Sequence, residues 1–213
     1  MNLKPKKHEL LRLLPDALVQ THGSSADGAR YLSFDDGPDP DYTPRLLDLL
    51  AEFRVHASFF LIGERIEQHP ALVERMVAEG HMIGNHSYTH RQFKSLPLNE
   101  QLEEFSHTDE LLQTFDSRPR HRVRTPQGYL DTRLLLNCAL HGRSIVYWSY
   151  DSLDYQKPTL DTFVARLRAL PPLAGDIVLM HDDSDLAIQA LRTLLPEWLG
   201  EGHTFYALTE DAP

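Results

Sequence analysis

Two histidines four residues apart, His86 and His90 in the run NHSYTH, have the spacing that puts imidazoles on one face of a helical turn, close enough to share a cation. Twelve histidines in 213 residues make such a pair expected by chance, and the plain alternative is a polar helix start with exposed rings. Upstream, FDDGP at 34–38 sets two carboxylates ahead of a Gly-Pro step, which reads equally well as an ordinary turn. Adjacent carboxylates after a strand can also point to different sides, so one can bind a metal while the other acts as a base. Like charges held that close raise one pKa unless a cation or an arginine relieves them. Asp36, His86 and His90 make an Asp-His-His donor set that suits zinc with one position left open to water. His181 ends the apolar run IVLMH, Arg124 stands in RVRTPQG and Asp154 in DSLDY. Taken singly, His181 reads as a capping residue, and Arg124 and Asp154 as solvated or salt-bridged.

The elements that must carry these residues alternate. Runs with strand character cover 31–37, 57–63, 81–87, 121–128, 144–151, 176–182 and 203–209, rich in β-branched and aromatic residues. Helical signals lie between them. Thr43 is placed to cap a helix with Pro44 at its first position, and Pro70 opens ALVERMVAEG before Gly80. Asn99 precedes a stretch with Leu102, Phe105, Leu112 and Phe115 in register, and further helices are expected over 131–141, 159–170 and 184–199. Strand-helix alternation predicts an α/β fold, a parallel sheet with helical crossovers, and about seven units in this length suit a small distorted barrel. In such folds function gathers at the C-terminal ends of the strands. Asp35-Asp36, Asn85-His86, Arg124, Asp151/Asp154 and His181 all fall there.

Composition narrows the field. With 41% hydrophobic and 24% charged residues the chain is ordinary globular protein, and its length suits one domain. Its net charge of −10 argues against a phosphate-backbone binder, so nucleic acid is not an expected partner. No apolar stretch approaches the ~20 residues that span a bilayer. Residues 1–28 read as a short helical or irregular arm, in which Glu9, Arg12, Pro15 and Asp16 interrupt any leader-like core. The lone Cys138 reads as a buried structural thiol, His81 as a packing residue, and Tyr147 and Trp148 as core.

The ordered set FDDGP, NHSYTH, RTPQG, DSLDY and LMH resembles the polysaccharide deacetylases, the NodB-homology domain of carbohydrate esterase family 4. The resemblance spans roughly residues 29–210 and makes 29–213 a single catalytic domain with a distorted (β/α) barrel. It implies Asp35 as catalytic base, and Asp36, His86 and His90 as ligands of one divalent ion, Zn²⁺ or Co²⁺. Arg124 then holds the base carboxylate, Asp154 supports the acid, and His181 is the general acid. Leu179 lines the acetyl pocket. Gln127 stands where the family carries an aromatic, keeping the backbone N–H that binds the oxyanion, with Tyr129 near enough to supply a stacking surface. Tyr155 replaces the tryptophan that usually ends the fourth motif.

The reaction so implied is metal-dependent removal of N-acetyl groups from an acetylated amino sugar in a glycan, oligosaccharide or lipid-linked sugar. Two other readings stand beside it: an amidohydrolase acting on a small non-sugar amide or imide, and a catalytically silent glycan-binding module. The fold alone does not separate them. With no leader recognisable, the expected location is the bacterial cytoplasm; the oligomeric state is not readable from these residues.

Overall fold

The computed structural model describes residues 7–208, so the first six residues of the arm and residue 209 of the last expected strand lie outside it. In chain order the elements are α1 (Lys7–Leu11), β1 (Val19–Gln20), β2 (Ala29–Asp35), α2 (Thr43–Phe53), β3 (Ser58–Leu61), α3 (Gly63–Gln68), α4 (Pro70–Ala78) and β4 (Met82–Asn85). There follow α5 (Leu98–Asp116), α6 (Thr132–Leu140), β5 (Ile145–Val146), β6 (Tyr150–Asp151), α7 (Leu160–Ala169), β7 (Ile177–His181), α8 (Asp185–Gly200) and β8 (Thr204–Phe205). The main sheet runs β4-β3-β2-β7-β6 with β8 on the start of β2, and every paired strand is parallel.

Leu32 and Phe34 on the central strand β2, Phe59 and Leu61 on β3, and Val178 and Met180 on β7 face one large core closed by Leu46 and Leu50 of α2 and Leu191 and Leu194 of α8. Burial on both faces is what a parallel sheet covered by crossover helices requires, and it explains the near-continuous apolar runs. Helix starts are marked locally. The Asp131 side chain accepts from Leu134 N–H at 2.8 Å to cap α6, and Thr159 does the same for Thr162 N–H at the start of α7.

Register does the functional work of the fold. Asp35 at the end of β2 lies opposite His181 at the end of β7 and Phe60 on β3, Leu61 lies opposite Asn85, and Asp151 lies opposite Leu179. Neighbouring parallel strands stand about 4.8 Å apart, so this alignment brings the polar strand ends to one edge.

Several expected elements differ. Residues 121–128 form no strand. Val123 makes single bridges to Asn85 and Ile145, after which Pro126–Gly128 turns with Gln127 at φ 55°. Proline has no N–H to give a ladder there. The run 144–151 breaks into β5 and β6 because it changes partners: Tyr147 N–H bonds Gln20 O beside β1, and Ser149 N–H bonds Ile177 O beside β7. Among the described residues the barrel-like arrangement therefore has no continuous ladder all the way round; β1 and β5 form a separate pair. The segment read as an arm thus contributes a strand. Thr43 is inside α2 rather than its cap, and its hydroxyl accepts from Asp39 N–H and donates to Asp182 Oδ2 at 2.6 Å. Helix α5 starts at Leu98 behind Pro97, and α3 had no sequence signal strong enough to mark it.

Candidate active site

The metal-ligand candidates come from two strand ends. Asp36 follows β2 in the left-handed region at φ 75°, which swings its carboxylate away from that of Asp35. His86 follows β4, and the chain to His90 is a loop with Ser87 at φ 67° and His90 at φ 56°, not the helical turn that the spacing suggested. The loop still brings the rings together, 4.9 Å between centroids and tilted by 45°. His86 Nε2 and His90 Nε2 each stand 3.3 Å from Asp36 Oδ1.

His86 is buried, and its Nδ1–H donates to Arg124 O at 2.6 Å, which leaves Nε2 to face the carboxylate. Burial lowers the proton affinity of His86, but Asp35 and Asp36 more than offset it. For Asp36, burial works against ionisation, yet His86, His90 and His181 hold the carboxyl far below its usual range. Asp36 Oδ1 is buried without a hydrogen-bond partner. Three donor atoms within 4.8 Å of one another and an orphaned carboxylate oxygen fit a divalent cation, which competes for the lone pairs a proton would take.

Asp35 is buried beside this set, its Oδ2 3.7 Å from His86 Nε2. Its Oδ1 accepts from Arg124 Nη1 at 2.7 Å, and the same nitrogen donates to Ser33 Oγ at 2.9 Å. Arg124 is fully buried, with its guanidinium 4.0 Å from the Phe60 ring centroid. On the far side, His181 Nδ1 donates to Asp154 Oδ1 at 2.8 Å while His181 N–H donates to Asp154 Oδ2 at 2.7 Å, so one carboxylate grips both ring and backbone. Burial lowers the imidazole pKa, but Asp154, with Asp35 and Asp36, outweighs it and pushes His181 up to about 9.

These groups open into a cavity of about 380 Å³, lined by Asp35, Asp36, His86, His90 and His181 together with Gln127, Gly128, Trp148, Asp151, Tyr155 and Leu179. Leu179 is buried on β7, and Tyr155 is exposed at the mouth. Tyr129 is not among the lining residues; its hydroxyl donates to Asp131 Oδ2 at 2.9 Å instead. The aromatic wall is Trp148, read from sequence as core. A Cβ on Gly128, at φ 61°, would stand 2.5 Å from the indole, so glycine is what lets Trp148 lie against the turn.

Two further residues, Glu104 and Asp182, escaped the sequence reading, whereas Asp151 was among the strand-end residues it named. Glu104 on α5 is buried and accepts from Tyr88 N–H, Thr89 N–H and Thr89 Oγ1, pinning the loop between the histidines. Asp182, fully buried and pushed up to about 7 by desolvation, packs on the FDDGP turn, where a Cβ on Gly37 would stand 2.4 Å from its Oδ2. Asp151 marks the rim, where burial raises its pKa. Glu104 sits in a helix at no telling spacing, and no local pattern marks it.

Residues 22–146 match the family model described as polysaccharide deacetylase. The chain is 35% identical to a peptidoglycan-N-acetylglucosamine deacetylase of Bacillus cereus over 84% of its own length and 85% of that protein. It is 33% identical to a chitooligosaccharide deacetylase of Bradyrhizobium over 94% of itself and 99% of the relative. Among solved structures, a peptidoglycan N-acetylglucosamine deacetylase in complex with a naphthalenyl N-oxidanyl-benzamide superposes with a TM-score of 0.82 at 29% identity, covering 90% of this chain and 94% of the other. With its strand-end carboxylates and histidines gathered at one cavity, this chain belongs to the polysaccharide deacetylase family, carbohydrate esterase family 4.

Proposed function

We propose that the protein hydrolyses the N-acetyl group of an acetylated amino sugar in a glycan, oligosaccharide or lipid-linked sugar, releasing acetate and the free amine. The observation that carries this reading is the opposition, in one 380 Å³ cavity, of an arginine-held carboxylate and a carboxylate-held imidazole across the Asp36-His86-His90 set. Asp36, His86 and His90 would hold one divalent cation, Zn²⁺ or Co²⁺, which when bound supplies Lewis acidity toward the acetyl oxygen and the attacking water.

The remaining chemistry belongs to the side chains. Asp35, fixed by Arg124, takes the proton of the water as it adds to the carbonyl carbon. The backbone N–H of Gln127 donates to the acetyl oxygen as it gains charge. With Nδ1 engaged by Asp154, His181 has Nε2 for delivering a proton to the departing nitrogen, so the C–N bond breaks toward a neutral amine. Leu179 gives the acetyl methyl an apolar floor, and Trp148 and Tyr155 offer faces to the sugar ring.

The test is acetate release from a panel of N-acetylated oligosaccharides, comparing chelated protein with protein restored with Zn²⁺ or Co²⁺. Restored protein is expected to release acetate and chelated protein not. Asp36→Ala loses stoichiometric metal; Asp35→Asn keeps it and loses roughly 10²–10⁴-fold in kcat. Near-full activity in Asp35→Asn overturns the base assignment. Bound metal without acetate from any glycan transfers the reading to a small amide substrate or a silent binder.

A further inference from the structure

Two acceptors decide which way round the buried Asn85 amide sits. Its Nδ2 donates to Phe105 O and to Asp109 Oδ1, each at 2.8 Å, and neither a carbonyl nor an ionised carboxylate can donate in return. Its Oδ1 is thereby turned toward Ser87 N–H, which it accepts at 2.9 Å. That bond spans His86 and closes a bend in which Ser87 holds φ 67°. A left-handed conformation away from glycine costs about 1–3 kcal/mol and persists only where the surroundings impose it. A carboxylate as buried as Asp109 needs counter-charges to stay ionised. Arg143 Nη2 lies 2.8 Å from Asp109 Oδ2, with its guanidinium 5.4 Å from the Phe105 ring centroid, and His121 N–H donates to Asp109 Oδ1 at 3.3 Å. The buried His121 ring stands between two carboxylates, its Nδ1 3.6 Å from Asp109 Oδ1 and its Nε2 3.0 and 3.1 Å from the oxygens of Asp116. Burial lowers the proton affinity of that ring, but Asp109 and Asp116 more than offset it. Burial likewise opposes the charge on Asp109, yet His121, Arg143 and Asn85 hold its carboxyl below the usual range. None of Asp109, Asp116, His121 and Arg143 lines the active-site cavity.

We propose that Asp109 is a positioning residue of the metal site, acting through Asn85 to set the bend that aims His86 and His90 at Asp36, with Arg143 and His121 as its counter-charges. The inference rests on the reading of Asp36, His86 and His90 as ligands of one divalent ion. Without the carboxylate the Asn85 amide is free to turn over. Its Nδ2 then meets Ser87 N–H, donor against donor, and the bend loses the bond that closes it. Because Ser87 lies between the two histidines, and its hydroxyl accepts from His90 N–H at 3.1 Å, the error passes to both rings.

The experiment compares zinc affinity by calorimetry, and the visible absorption of the cobalt-loaded protein, in wild type, Asp109→Ala, Asp109→Asn and Arg143→Met. Asp109→Ala is expected to weaken zinc by about 10–100-fold, the scale for groups that orient a metal ligand, and to shift the cobalt bands. Asp109→Asn should recover part of the affinity, since its amide oxygen can still accept from Asn85 Nδ2. A packing role alone would lower the thermal midpoint of Asp109→Ala and leave zinc affinity and cobalt bands at their wild-type values; that result overturns the proposal. If Asp109→Ala does not fold, Arg143→Met decides: weaker zinc and shifted bands support it, and wild-type values refute it. If wild-type protein binds no metal, the ligand reading fails by itself, and hydrogen exchange of Ser87 N–H in metal-free protein tests the bend, with the β2 amides as reference. Exchange at Ser87 at least roughly tenfold faster in the variant, with β2 unchanged, supports the role of Asp109. Equal exchange in variant and wild type refutes it.

Discussion

Arg124 is cut off from bulk solvent. It is fully buried, spends Nη1 on Asp35 and Ser33, and leaves Nε and Nη2 without partners, so its charge is balanced almost wholly by one carboxylate. Breaking a buried pair strands the survivor, at a typical cost of about 3–5 kcal/mol. Arg124→Met should therefore lower urea-unfolding stability by that order, while Arg124→Met with Asp35→Asn should cost less than the two single changes summed. Strict additivity in this cycle would mean the pair is not coupled. The same logic sets the alkaline limit of turnover. His181 is held protonated up to about pH 9, chiefly by Asp154 against the effect of burial, so the acid form is lost as pH rises through that value. Asp154→Asn removes the raising charge and should move the falling limb of the kcat profile to lower pH; an unmoved limb would exclude His181 as the acid. The gathering of Asp35, Asp36, His86, His90 and His181 at one cavity was legible in the sequence through the order of their motifs at the strand ends, and not through any one of them alone. Trp148 was not. Its placement follows from where the 144–151 segment changes partners, and apolar periodicity carries no trace of that exchange.

The element that most exceeds its sequence signal is the loop from His86 to Arg91. A helical turn would carry its own hydrogen bonds; this loop borrows them from α5 instead. Glu104 receives Tyr88 N–H at 3.0 Å, Thr89 N–H at 2.7 Å and Thr89 Oγ1 at 2.8 Å, with Arg91 closing over it at 2.9 Å. Asn85 is fixed at the loop's root by Asp109 and Phe105 O of the same helix. Supporting groups that orient ligands are worth about 10–100-fold in metal affinity. Glu104→Ala should weaken zinc binding by that factor in calorimetric titration, with Glu104→Gln intermediate because it keeps an acceptor oxygen. Zinc affinity unchanged in both would leave Glu104 a structural support of the loop with no part in metal binding. The alternation of strands and helices was legible from periodicity, and so was the gathering of polar ends. What periodicity missed were a segment held by single bridges, at Val123, a run that changes partners, 144–151, and the short helix α3.

At the scale of the whole molecule, the register of β2, β3, β4 and β7 concentrates polar burial at one end of the sheet while the opposite end keeps its own buried histidine. His81 lies just before β4, where its Nδ1 accepts from Ala57 N–H at 3.1 Å. Burial, opposed by Glu79, lowers its pKa to about 4 from an ordinary value of 6.5. The folded ring therefore stays neutral while the unfolded chain takes a proton, and stability is lost as pH falls from 6.5 toward 4. The difference amounts to about 3 kcal/mol at the acid end. Urea midpoints of chelated protein at pH 7 and pH 4.5 should show this fall, reduced in His81→Asn, which keeps an acceptor for Ala57. An equal fall in the variant would assign the acid sensitivity elsewhere. The chain carries two tryptophans, and the fold sends them to opposite duties: Trp198 is 2% exposed in the core against Phe205, whereas Trp148 walls the cavity at the strand ends. The protein consequently contains its own pair of optical reporters. In Trp198→Phe the remaining emission should shift when a glycan is titrated in, and in Trp148→Phe it should respond to unfolding and be silent to sugar, so that occupancy and integrity can be followed separately without attaching a dye.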